Sequence, residues 1–188
     1  MGFLTANAIG ERDVLKTFVL HQLAQLRTTV HGLNDEQAHA KSTVSAFNLT
    51  GLLLHGATTS AFWTTLAADA PKAPQLPEFI GYRPHPAEQI GDDRPLEEVL
   101  VFFDRCVEFA ATSIDRIDDM GRLVPKFDAP WLPADLEGWE VRWCLAHLTA
   151  EIARHVGHAD IIRESIDGKV SFELNDAVDG TDYAQYAR

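Results

Sequence analysis

Three side chains with metal-ligand chemistry recur at steps of four in Trp143-Cys-Leu-Ala-His147-Leu-Thr-Ala-Glu151-Ile-Ala-Arg-His155-Val-Gly-His158. On an α-helix, steps of four keep side chains on one face. His147, Glu151 and His155 therefore form a single stripe, and His158 sits close to it one turn on. Three of the chain's eight histidines fall in this short run. A face that only meets water would carry Lys, Arg and Glu instead. The pattern predicts a metal site with an open coordination position, against the plainer alternative of a buried polar network between helices.

One helix rarely completes such a site, so a ligand from a second helix is expected. The best donor is His55, set in Leu52-Leu53-Leu54-His55-Gly56-Ala57. A histidine among leucines must find a partner or face a cavity, and Gly56 beside it permits close approach. A His/Glu/His set leaving one position to water is a known catalytic zinc arrangement. Nickel, iron and manganese accept the same donors. His21, His31, His39 and His85 lack such partners and read as ordinary hydrogen-bonded residues.

Four long helices must carry these residues. The hydrophobic period predicts them over Ile9–Val30, Leu49–Ala68, Pro95–Asp118 and Val141–Ile166. Asn34 to Gln37 resembles a capping box, Asn48 is an N-cap candidate, and Asp167-Gly168 is a stop. The proline-rich window Asp69–Arg94 excludes a continuous helix and is long for a connection, which suggests a functional or mobile loop. Gly121–Gly138 is a second irregular segment, with an extended piece near Leu123–Phe127. The tail Lys169–Arg188 shows no period and is expected to wrap the surface or to be partly loose. Together these predict an all-α, four-helix bundle with long connecting loops, forming a single domain over residues 1–188.

The net charge of −12 opposes nucleic-acid binding and attraction to anionic lipid. No signal peptide and no membrane-spanning run is seen. Cys106 and Cys144 form no disulfide framework, which fits a reducing cytoplasm. A Cys144–His147 nucleophile is conceivable, although free cysteines on helices are usually core. Trp63, Trp131, Trp139 and Trp143 could line a pocket or simply pack. Arg154 and Arg163 could bind a carboxylate substrate or form ion pairs on the helix surface.

The chain resembles the DinB/YfiT-like superfamily of metal-binding four-helix proteins. The resemblance rests on His55 and on the run Trp143 … His147 … Glu151 … Arg154-His155-Val-Gly-His158-Ala-Asp160 … Arg163-Glu164 … Asp167-Gly168. It implies metal ligands at His55, Glu151 and His155, a His/Glu/His version similar to that of the mycothiol-dependent maleylpyruvate isomerases. His147 then becomes a catalytic pocket residue, and Arg154 and His158 become candidates for binding the co-substrate. Many members carry Glu where this chain has Ser60, so a carboxylate that orients a ligand is missing or replaced by Asp160.

The implied function is a metal-dependent S-transferase or isomerase that uses a low-molecular-weight thiol, such as mycothiol or bacillithiol, and an electrophile. Zinc is the leading metal. The alternatives are a non-catalytic metal-binding stress-response protein and a metal-dependent hydrolase. A homodimer is expected from the size of the domain and from apolar faces such as Phe102, Phe103 and Phe109.

Overall fold

The computed structural model describes residues 4–81, 93–130 and 132–182. His85, Trp131 and most of the second half of the proline-rich window lie outside them. Four long helices carry the fold: α1 Glu11–Thr28, α3 Leu49–Asp69, α4 Leu96–Asp115 and α5 Val141–Asp167. Short helices α2 (Asp35–His39) and α6 (Ser171–Asp179) and a single 3-10 turn at Glu78–Ile80 complete the helical set. The architecture is all-α, as the hydrophobic period predicts. A two-stranded antiparallel ribbon, β1 (Leu123–Pro125) and β2 (Gly138–Glu140), is the one sheet among the described residues.

The helix starts follow local chemistry. Asn34 and Gln37 form the predicted capping box, with each side chain accepting from the other's backbone N–H at 2.9 and 3.1 Å. Asn48 caps α3 by accepting from Gly51 N–H at 2.8 Å. The start of α4 is capped from a distance: Leu96 N–H donates to Asp35 Oδ1 at 2.7 Å. This one bond fixes α2 against the entrance of α4. Helix α5 ends where Gly168 adopts the left-handed conformation (φ 76°) and its N–H returns to the Glu164 carbonyl.

Helix α3 is the central element, packed on α4 and α5, with α1 lying along α5. Fifteen of its 21 residues are buried, so any polar side chain it carries must be satisfied or face an opening. Gly56 lets α3 approach α1, since a Cβ there would stand 2.5 Å from Leu26 Cδ2 in the core. In the ribbon, Gly138 is required because a Cβ would collide with the Val124 carbonyl.

The tail departs from expectation. Residues 171–179 form a helix although the sequence there has no clear period. Tertiary contacts hold it: Leu174 is buried, and Asn175 exchanges hydrogen bonds with Gln25 of α1 at 2.8 and 2.9 Å. The phenylalanines read as a pairing face are used within the chain. Phe103 is wholly interior, Phe102 lies under the Arg94 guanidinium, and Phe109 meets Phe79 edge-on.

Arg163 answers the ion-pair question in an unexpected place, because it is fully buried rather than on the surface. Nε and Nη2 pair with Asp167 at 2.9 Å each, and Nη1 donates to the Thr29 and His31 carbonyls at 2.7 and 2.9 Å. It thus joins the end of α5 to the carbonyl end of α1. Removing one partner of a buried charged pair costs about 3–5 kcal/mol. Arg163→Ala should lower the unfolding free energy by about that amount in urea titrations. Arg163→Lys should recover only part of it, since an ammonium cannot span the carboxylate and both carbonyls. A loss comparable to an ordinary surface substitution would show that the latch is not structural.

Candidate metal centre

Helices α3 and α5 run antiparallel where they touch. His55 of α3 meets Glu151 and His155, and Trp63, two turns further along α3, meets His147 and Trp143. At 100° per residue, His158, Glu151 and His155 lie about 20°, 40° and 80° round α5 from His147. The stripe read from the sequence is therefore real, and it sits at the edge of the helix's buried face. Leu148 and Ile152 behind it are fully buried.

The ligand atoms of His55, Glu151 and His155 all lie within 4.8 Å of one another, and this set could hold a metal ion. His155 Nε2 stands 3.1 Å from Glu151 Oε1, and His55 Nε2 stands 3.7 Å from the same oxygen. Donors sharing one zinc at about 2.0–2.2 Å would be separated by roughly 3.4 Å in tetrahedral geometry, so the donors fit. Their side chains are 17%, 28% and 19% exposed, which leaves the cluster reachable from one side.

The electrostatics suit a cation. Burial would push the Glu151 carboxyl up, but His155, by charge and hydrogen bond, and then His55 and His147 together bring it below its ordinary value. Burial and then the neighbouring charge of His55 hold the His155 imidazole below its ordinary value, against the upward pull of Glu151. Near neutral pH the pair is thus ionised carboxylate beside neutral imidazole, the states that bind metal.

The other expected site residues fall into distinct places. The His147 ring stacks on Trp143 (4.9 Å, 6°) and meets Trp63 edge-on at 4.8 Å. It is part of an aromatic wall that continues through Trp139 and Phe127. His158 is on the opposite flank, edge-on to Phe47 at 5.9 Å. Arg154 is exposed on the outer margin of the stripe, two turns past His147. Arg163 is the internal latch and does not face the site. Cys144 is fully buried, and burial pushes its thiol up to about 12, so it offers no nucleophile beside His147.

Neither candidate for the orienting carboxylate reaches a ligand. Ser60 is buried and donates to the Ala57 carbonyl at 2.8 Å. Asp160 lies about 140° round the helix from His155, and its carboxyl is pushed up to about 6, first by burial and then by Glu164. Phe47 is the residue that sequence reasoning missed. Its ring centroid lies 6.3 Å from His55, 6.2 Å from His155 and 5.9 Å from His158. Nothing in the irregular segment before Asn48 distinguishes it from any other packing aromatic.

Comparison with known proteins adds two findings. The family model described as mycothiol-S-transferase matches residues 14–168. A solved structure of a conserved protein from Enterococcus faecalis superposes with a TM-score of 0.63 at 14% identity, covering 86% of this chain and 100% of that one. At that identity the likeness concerns the fold alone. No curated protein matches the sequence.

Two outcomes test the assignment of residues around the cluster. Glu151→Ala should purify without metal, whereas His147→Ala should retain it, as read by elemental analysis of both variants. Equal loss in the two would move His147 into the coordinating set. Metal affinity should be flat above the ordinary histidine range and fall as pH drops through the depressed His155 value, by about tenfold per unit for each proton displaced. A competition titration with a chromogenic chelator across pH 5–8 measures this, and a pH-independent affinity would mean that His155 is not a ligand.

Proposed function

The chain belongs to the mycothiol-S-transferase family, a DinB/YfiT-like family, and from that premise we propose a metal-dependent transfer of a low-molecular-weight thiol's sulfur onto an electrophile. The observation that carries the reading is the convergence, among the described residues, of three partly exposed donors, His55, Glu151 and His155. A structural metal would need a fourth protein ligand, and among the described residues the cluster has three.

In this reading His55, Glu151 and His155 hold a divalent metal, with zinc favoured by the donor set and nickel, iron or manganese compatible with it. When bound, such a metal supplies Lewis acidity that lowers the pKa of a thiol. Glu151 stays ionised and the His155 imidazole stays neutral, so these two donors are ready without first losing protons. His147, fixed between Trp143 and Trp63, accepts the thiol proton. The sulfur lone pair then bonds to the electrophilic carbon, and the leaving group departs with its bonding electrons. The aromatic wall keeps water from one side of the reacting pair, and Phe47 does so on the other. His158 and the exposed Arg154 contact polar groups of the thiol co-substrate.

The family points to mycothiol as the first thiol to test. Consumption of a haloalkyl electrophile by the metal-loaded protein should depend on thiol when mycothiol, bacillithiol and glutathione are offered separately. His147→Ala should lower kcat about 100-fold, as the loss of a general base does, without loss of metal. Turnover with none of the three thiols across a broad panel of electrophiles would sink the transferase reading.

A further inference from the structure

A cavity of about 630 Å³ opens at the corner where α3 and α4 end. It starts thirteen residues past His55, about 20 Å along α3, and takes no part in the chemistry proposed for the metal centre. Its volume is in the range of small-molecule sites. Ala68, Ala70 and Ala73 leave the space, and Phe109 supplies an apolar surface.

Ser113 also lines this cavity. It is 1% exposed, and its Oγ has no hydrogen-bond partner among the described residues. A buried hydroxyl without a partner is costly. Its neighbour Thr112 takes the usual helical remedy, donating to the Glu108 carbonyl at 2.9 Å, and Ser113 does not.

The charges around the cavity are unbalanced. Lys72, Arg116 and Arg122 line it together with one acid, Asp69. Both helices end here, and the negative ends of their dipoles account for some positive charge. Arg122 serves that need, donating to the Ala70 carbonyl at 3.1 Å and pairing with Asp118. The Asp69 carboxylate is engaged by Gln75 N–H at 2.9 Å and more loosely by Arg116 at 3.7 Å. Most of the Arg116 guanidinium is left over. The Lys72 ammonium makes no ion pair among the described residues. In a chain of net charge −12, two under-used cations and a serine whose buried hydroxyl is unsatisfied line one cavity.

We propose that this corner is a binding site for a small organic anion bearing a carboxylate or phosphate group. The anionic oxygens accept from Ser113 Oγ and are neutralised by Lys72 and Arg116, and the organic body rests on Phe109 and the alanines. The site is separate from the metal centre and independent of whether the transferase reading holds.

The test is calorimetric titration of the full, metal-loaded protein with benzoate, phenyl phosphate and inorganic phosphate. Benzoate or phenyl phosphate should bind with a Kd of about 0.1–1 mM, and whichever of the two binds more tightly identifies the head group. Inorganic phosphate, which has no body to rest on Phe109, should bind less well. The double variant Lys72→Ala/Arg116→Ala should weaken binding by at least about tenfold. Ser113→Ala should weaken it by about 3- to 10-fold without lowering the melting temperature. His55→Ala should leave it unchanged. The proposal is overturned if neither organic anion binds at about 10 mM, if the cation and serine variants bind as well as the wild type, or if His55→Ala abolishes binding. A Ser113→Ala protein that is more heat-stable with the same affinity would equally overturn the role of the hydroxyl.

Discussion

A complete guanidinium is buried in this fold, and the orientation of α5 depends on how that charge is satisfied. Arg163 has its planar fork occupied by Asp167 on one side and by the Thr29 and His31 carbonyls on the other. The geometry is directional, so it restricts how far α5 can rotate about its own axis beside α1. The site needs that restriction. Glu151 and His155 reach His55 only if their stripe turns toward α3, and a rotation by one residue would carry them about 100° away. A latch outside the cluster thus sets the angle of the stripe within it.

Helix α3 contributes the matching constraint. It is buried on nearly every side, and Gly56 allows its backbone close to α1 at the level of His55. His55 is polar in an apolar helix, which normally carries a penalty. Here the side chain emerges at the seam with α5, where the carboxylate of Glu151 balances it. The two helices bring complementary problems, a carboxylate at the edge of a buried face and an imidazole in a core helix, and each is the other's remedy.

The elements that the sequence reveals well are those whose signals are local. The step-of-four stripe, the leucine context of His55, the box at Asn34–Gln37 and the glycine stop at Gly168 each depend on residues within a turn or two, and all appear as read. The signals that fail are tertiary. Helix α6 has no strong period because Leu174 and the Asn175–Gln25 pair hold it from outside. Phe47 reaches three histidines only because the segment before α3 folds over the seam. Arg163 reads from the sequence as a carboxylate binder or a surface ion-pair residue, and only the burial of that turn against α1 reveals its different use. The unsatisfied Ser113 hydroxyl is invisible to any reading of spacing, since the cavity around it is built from two helix ends and a turn.

The two cysteines have a meaning beyond packing. Both are completely enclosed, and burial pushes each thiol up to about 12. Reaction with alkylating or oxidising agents requires the thiolate and access to it, and both are withheld. A protein that brings electrophiles together with an activated sulfur works beside reagents able to modify its own side chains. On the proposed transferase reading, with Cys106 and Cys144 kept protonated and out of reach, the chain presents no thiol of its own to compete with the incoming one, and exposure to electrophiles need not wear it out.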